Sequence, residues 1–163
     1  MSKFDRTDLL ILTTLQQEGR ITKTALAERV NLSPTPCWER MHRLEQDGVI
    51  TGYNAQVNLN PVAPHTVIFT EVTLASHTRE DFERFELTVN ETPQITECWA
   101  TGGGVDYLLK FIIRDVASYQ ELIERLLRAE LGIDRYFTYV VTKPVKVSPV
   151  LPIESLLDVK DEE

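Results

Sequence analysis

Thirteen residues, Leu32 to Leu44, constrain this chain more than any other stretch: Leu-Ser-Pro-Thr-Pro-Cys-Trp-Glu-Arg-Met-His-Arg-Leu. Ser33 is a good helix N-cap residue, and Pro34 follows where a missing N–H and a fixed φ cost nothing. Pro36 still lies in the first turn and is tolerated. At 100° per residue, Cys37, Met41 and Leu44 fall on one side of the helix and Thr35, Glu39, His42 and Arg43 on the other. Such a helix packs with one face and reads with the other, as the second helix of a helix-turn-helix does.

The residues before it fit that unit. Asp5-Arg-Thr-Asp8 resembles a capping box ahead of Leu9, Ile11, Leu12 and Leu15, and Gly19 is expected to end that helix. Thr22 can cap a short helix over 23–30, with Ala25, Leu26 and Val30 apolar, and Asn31 can take a left-handed turn before Ser33. Gly48 is expected to end the third helix, and 49–57 to run out as an extended arm.

Asn58-Leu-Asn-Pro-Val-Ala-Pro64 marks a linker, after which the periodicity changes. Thr66 to Leu74 reads as a strand. Thr78 then caps a helix carrying Phe82, Phe85 and Val89, closed by Pro93. Ile95 to Thr101 and Val105 to Ile113 read as strands separated by Gly102, Gly103 and Gly104. Asp115 caps a helix with Tyr119, Leu122, Ile123, Leu126 and Leu127 inward, Gly132 ends it, and 136–145 is expected to be the last strand. The order strand-helix-strand-strand-helix-strand predicts a ferredoxin-like βαββαβ unit, so the fold class is α+β. Two helices cover one face of a four-stranded sheet. The near-continuous apolar run 105–113 predicts that the other face is buried too, against a second copy, making a homodimer. The expected organisation is a DNA-binding domain at 1–52, a linker arm at 53–65, a sheet domain at 66–147 and an acidic tail at 148–163. Within that tail an apolar patch over 153–159 can dock on the body, and the end is expected to be loose.

The net charge of −8 looks wrong for a DNA-binding chain until it is divided. Residues 1–58 hold seven Lys/Arg and seven Asp/Glu, 59–147 are net −4, and 148–163 are net −4. The acid is thus kept away from the module that meets phosphate. No stretch approaches the roughly 18 apolar residues of a membrane span and no signal peptide opens the chain, so a cytoplasmic protein without a membrane partner is expected. Cys37 and Cys98 lack metal or redox spacing and read as plain buried thiols.

For double-stranded DNA, Thr35, Trp38, Glu39, His42 and Arg43 are the side chains expected to reach bases or phosphate, with backbone N–H groups across 33–35, starting at Ser33, able to hold a phosphate. Arg43 is the leading candidate because a guanidinium can grip guanine bidentately. In the opposing reading, Glu39 and Arg43 form an i,i+4 pair in solvent. Arg20 and Lys23 are expected phosphate contacts, and Arg40 is expected to be structural. The Gly102-Gly103-Gly104 turn can be a plain hairpin, or can bring backbone N–H groups to a small ligand's carboxylate while Asp106 meets its ammonium. Asp106 in an apolar strand is costly without partners. No catalytic constellation, metal set or cofactor motif is legible, and His42, His65 and His77 read as surface or DNA-facing groups. An enzyme is not expected, nor is a cofactor.

These stretches together resemble the Lrp/AsnC family, the feast/famine regulators. The resemblance rests on Asp5-x-x-Asp8, Gly19-Arg-Ile21, Leu32-Ser-Pro-Thr-Pro-Cys37 with Glu39-Arg40 and Arg43-Leu44-Glu45, Gly48-x-Ile-x-Gly-Tyr53, Asp106-Tyr-Leu-Leu109 and Thr138-Tyr-Val-Val141. It implies a winged-type helix-turn-helix followed by a ligand-sensing sheet domain of the RAM type. It also implies dimers that assemble into octamers, and a small effector, an amino acid or relative, bound where dimers meet. By position the implied effector residues are Ala100, Gly103, Asp106, Val116, Tyr139, Val140 and Val141, alongside the turn glycines Gly102 and Gly104. Family members often carry an acidic or polar residue where this chain has Gly104, which bears on effector size and charge. Many have a smaller side chain at Trp38, which bears on the operator. The implied function is regulation of amino-acid metabolism or transport genes. The rivals are an architectural DNA-binding protein without effector and an enzyme like the similar sirohaem decarboxylases. That enzyme would need haem-facing histidines where the sheet domain offers only His65 and His77.

Overall fold

A computed structural model describes residues 4–157, which fall into two compact units: residues up to Gln56 together with those from Lys146 onward, and Val57–Val145.

The first unit is built on three helices, α1 (Arg6–Gln17), α2 (Lys23–Arg29) and α3 (Pro34–Gln46). The expected capping box forms: Asp5 accepts from the Asp8 N–H at 2.8 Å and the Asp8 carboxylate accepts from the Asp5 N–H at 3.2 Å. Thr22 caps α2 through the Ala25 N–H at 3.2 Å. Asn31 takes φ 54° between α2 and α3, and Gly48 takes φ 70° after α3, a conformation in which a side chain would be strained. One local expectation fails: Ser33 occupies the N-cap of α3 but its hydroxyl caps nothing; the prolines fix the first turn, and Pro36 removes the third helical N–H that a cap serves. Helix α1 ends at Gln17 with Glu18 as its C-cap, and Gly19 follows directly, as Gly48 follows Asp47 after α3. The core gathers Ile11, Leu12, Leu26, Ala27, Val30, Cys37, Met41 and Leu44, with Ile153 of the short α6 (Ile153–Leu156) packed against it. The Leu151 N–H donates to Gln16 Oε1 on α1. The docking expected of the tail is thus seen at Ile153, while the rest of that patch from Asp158 and the closing acidic residues lie outside the described residues.

The second unit holds β1 (Thr66–Leu74), α4 (Arg79–Asn90), β2 (Ile95–Ala100), β3 (Tyr107–Ile113), α5 (Val116–Arg128) and β4 (Ile133–Val140), the expected βαββαβ order. The sheet is antiparallel in the order β2-β3-β1-β4. Thr78 and Asp115 cap α4 and α5 as expected. The last strand lies earlier than expected, because its register is set by β1: Ile133 pairs with Leu74 and Val140 with Ile68. Strands β2 and β3 are also shorter at the glycine turn, ending at Ala100 and starting at Tyr107. Leu127, expected inward, is exposed.

The helix-covered face carries Ile68, Val72, Phe85, Tyr107, Phe111, Tyr119 and Ile123, all at most 2% exposed. Beneath it Tyr119 bridges two strands, its hydroxyl 2.9 Å from Thr70 Oγ1 and 2.7 Å from Thr138 Oγ1. Strand β3 alternates in burial along its length, although its sequence does not. Its other side, Leu108, Lys110 and Ile112, belongs to an open face with Phe69, Trp99, Phe137 and Tyr139, where Trp99 is 50% and Phe137 53% exposed.

Candidate functional site

The first candidate site is the outer surface of α3. Thr35, Trp38, Glu39, His42 and Arg43 are all exposed there, with Arg20 in the α1–α2 turn and Lys23 at the start of α2. Their states differ. Trp38 is held on both sides: the Lys23 ammonium sits 3.3 Å from its ring centroid, and His42 stacks at 5.8 Å with 15° between planes. His42 continues to Gln46 Nε2 at 3.0 Å and lies 3.5 Å from a Glu45 carboxylate oxygen. The other Glu45 oxygen accepts from Tyr53 at 2.9 Å, tying the exit arm to the last turn of α3. Burial and the Glu45 carboxylate push the Tyr53 hydroxyl up to about 12, so the phenol keeps the proton it donates well above neutral pH. Thr35, Glu39 and Arg20 have no side-chain partner among the described residues and face solvent. At the helix start Pro34 has no N–H, so the anion-binding donors reduce to Ser33 and Thr35.

Arg43 does not pair with Glu39. Its Nη2 lies 2.8 Å from both carboxylate oxygens of Asp8, a side chain 2% exposed on α1. Arg40 donates through Nη1 to Asp5 at 2.6 Å and Asp8 at 2.9 Å, the structural role expected of it. Asp8 therefore serves three cations and donors at once: the cap of α1 and both arginines of α3. Its importance was legible as position. Asp8, Leu12 and Leu15 share one helical stripe, and a carboxylate on a buried stripe requires partners.

The second candidate site is where the residues expected to hold an effector lie in the sheet unit. They fall in two groups at opposite ends of β1. Ala100, Gly102, Gly103, Gly104 and Asp106 sit beside its C-terminal end, where the Asp106 N–H donates to the Val72 carbonyl at 3.0 Å. Val140 and Val141 sit beside its start, where the Val141 N–H donates to the Val67 carbonyl at 3.0 Å. Tyr139 lies between the groups: it pairs with Phe69, and its hydroxyl donates to Glu71 Oε2 at 3.2 Å. Val116, first residue of α5, follows the strand end that pairs with Thr66. Val67 and Val72 are separated by about 16 Å of extended strand. A single chain therefore keeps Val140 and Val141 apart from the Asp106 group. Two shallow concavities of about 460 and 380 Å³, around Arg114 and between Leu59 and His65, contain none of these residues.

At the first group, Asp106 is a half-buried carboxylate with partners: Oδ2 accepts from the Leu74 N–H at 2.7 Å, and Oδ1 lies 3.0 Å from His77 Nε2. The Leu74 N–H, and then the His77 imidazole and Arg135, hold its carboxyl below the ordinary carboxylate range against the opposing effect of partial burial. His77 lies on the surface, as expected, and has a partner there in Asp106. Nothing in its spacing signals this, since it reaches Asp106 across 29 positions from the β1–α4 loop. Gly103 adopts φ 149°, which calls for glycine. Gly102 and Gly104 have no such demand, and a Cβ at either would meet nothing within 4 Å among the described residues. Cys98, half-buried, has its thiol pushed up to about 11 by burial, then by Glu86, and Cys37 is buried with its thiol also raised, so both stay in the thiol form near neutral pH.

Both units match known families. The Lrp/AsnC ligand binding domain profile matches residues 67–151, and a winged helix-turn-helix DNA-binding profile matches residues 4–51. The transcriptional regulatory protein DoeX of Halomonas elongata is 52% identical over 144 residues, 88% of this chain and 91% of that protein. The leucine-responsive regulatory protein of Escherichia coli K12 is 40% identical over 151 residues, 93% of this chain and 92% of that protein. Among solved structures, an AsnC family transcriptional regulator from Agrobacterium tumefaciens superposes with TM-score 0.88 at 33% identity, covering 94% of this chain and 100% of that one. The NMB0573/L-Met complex from Neisseria meningitidis gives 0.88 at 32% identity, covering 95% and 100%. With profiles on both units and relatives along nearly its whole length, the chain belongs to the Lrp/AsnC family of DNA-binding transcriptional regulators.

Proposed function

We propose that this regulator binds operator DNA through α3, senses an amino acid or a related zwitterion through its sheet unit, and controls genes of amino-acid metabolism or transport in the cytoplasm. It acts without catalysis and without a cofactor. The observation that carries the sensing half is the Asp106 carboxylate beside a turn whose outer glycines nothing in the chain requires. Something from outside the chain explains small residues there: a ligand's carboxylate on the backbone N–H groups, its ammonium on Asp106. The Neisseria relative solved with L-methionine supports an amino acid in that role.

The chain works as a homodimer and in larger assemblies. Phe69, Trp99, Phe137 and Tyr139 expose an aromatic face that a second copy covers. The two effector groups at opposite ends of β1 then meet across copies rather than within one, so assembly and ligand binding are linked. A thermal-shift screen against the twenty L-amino acids tests the sensing half. A ligand present at 100 times its Kd adds about 2.7 kcal/mol of stability. The reading predicts a rise in melting temperature with one class of amino acid in the wild-type chain and none in Asp106→Ala. Absence of any rise in the wild type contradicts it.

A further inference from the structure

Asp106 is the carboxylate proposed to meet an effector's ammonium, and the chain already sets a nitrogen on it. His77 Nε2 lies 3.0 Å from Oδ1 and 3.1 Å from Oδ2. Near-equal distances to the two oxygens place the imidazole across the mouth of the carboxylate, where an ammonium would sit. Because a carboxylate only accepts, Nε2 must carry its hydrogen. Little of Asp106 is left for a second cation: Oδ2 also takes the Leu74 N–H at 2.7 Å, and the side chain is only 21% exposed. The glycine turn differs. The N–H groups of Gly102, Gly103, Gly104 and Val105 have no hydrogen-bond partner among the described residues. One half of the site can thus receive a ligand's carboxylate directly, while the other half is filled by the chain itself.

His77 is free to leave. It comes from the loop between β1 and α4, its side chain is 57% exposed, and it lies against the Phe82 ring with centroids 5.8 Å apart. Its Nδ1 has no partner among the described residues, so the ring can take up a second proton without losing a bond. The other charged groups of the neighbouring elements are Arg135 on β4, whose charge also acts on Asp106, and Asp81 and Glu86 on α4. Asp81 is paired with Arg84 at 2.6 Å, and Glu86 accepts from the Tyr107 hydroxyl at 2.8 Å. Asp106 is the carboxylate that holds the imidazole.

We infer that His77 is a built-in competitor of the effector: its imidazole occupies Asp106 until a ligand's ammonium displaces it, so an amino acid binds more weakly when the imidazole carries a second proton. This rests on Asp106 being the contact for the effector's ammonium. The ammonium of an amino acid and the depressed Asp106 carboxyl both keep their charge near pH 6, so the imidazole is the member of the trio that changes there.

The experiment titrates the full-length chain calorimetrically with each of the twenty L-amino acids, at about pH 8 and about pH 6, in the wild type, His77→Ala and His77→Gln. Circular dichroism confirms folding, and His77→Gln keeps a neutral N–H donor at the position should the alanine variant unfold. The wild-type affinity for the amino acid that binds is expected to fall about threefold from pH 8 to pH 6, the scale of a solvent-exposed charge pair. Both variants are expected to bind equally well at the two pH values, and His77→Ala to bind about threefold more tightly than the wild type at pH 6. Binding of an amino acid by His77→Ala alone, with none by the wild type, would be the same competition in a stronger form. Weaker or unchanged binding in a folded His77→Ala, or a pH dependence that survives in both variants, would overturn the competition while leaving the sensing reading intact. Binding of no amino acid by the wild type or either variant would overturn the sensing reading, and the competition with it.

Discussion

His77 Nε2 lies 3.0 Å from Oδ1 and 3.1 Å from Oδ2 of Asp106, so the carboxylate proposed to meet an effector's ammonium already has an imidazole on it. With the Leu74 N–H, that contact depresses the Asp106 carboxyl. A depressed carboxyl contributes stability that is present above its unfolded value, about 3.9, and is lost as pH falls through the folded value. Urea denaturation should therefore show Asp106→Asn less stable than the wild type at pH 7, with the gap closing below about pH 4. A gap of constant size from pH 7 to pH 3 would contradict the assignment.

Asp8 is expected to show an asymmetry. Asp8→Ala removes a cap and charge-assisted bonds from arginines that are 30% and 52% exposed, so the cost is about 2 kcal/mol after allowing for solvent. Replacing Arg40 and Arg43 together by Met instead strands a buried carboxylate and should cost more, about 3–5 kcal/mol. Chemical denaturation of both variants decides it, and the reverse order would mean that Asp8 does not depend on the two arginines.

Phe137 pairs across the sheet with Glu71 on the open face. Phe137→Glu sets a second carboxylate beside that one and should convert a dimer or larger assembly into a monomer by light scattering, with the helical content unchanged. A wild-type chain that is itself monomeric would contradict the covered face.

Ile153 packs against the core of the helical unit, and the Leu151 N–H donates to Oε1 of Gln16, whose Nε2 is buried without a partner among the described residues. Ending the chain after Val150 should lower the stability of that unit by about 1–2 kcal/mol, the value of a partly buried Ile with its attendant bond. Removing only the last few acidic residues should change little. Equal stability of both truncations with the full chain would show that α6 contributes nothing.

What could be read from the sequence was what local rules decide. Asp5, Thr22, Thr78 and Asp115 reach N–H groups three positions away, so their caps are written in adjacent residues. The βαββαβ order followed from the change of hydrophobic period after Pro64. What failed depends on partners far along the chain. Strand β4 was expected to start three residues late and to end five residues too far because its limits come from β1, not from its own run of Tyr, Phe and Val. The opposing reading of Arg43 pairs it with Glu39, its helical neighbour, whereas the structure joins it to Asp8 at 35 positions' distance. The residues expected to hold an effector make a single set by family position, yet the fold spreads them along β1 from the Val72 end to the Val67 end, with Tyr139 between. No periodicity reveals that split.

The most direct test of the central claim is a mobility-shift measurement on the DNA upstream of the chain's own gene, with and without each amino acid. The account predicts a specific complex at moderate salt whose mobility or affinity one amino acid or close derivative changes, and whose response Asp106→Ala loses. A specific complex that no compound alters would contradict the sensing half in favour of an architectural role, and no complex at all would contradict the reading of α3.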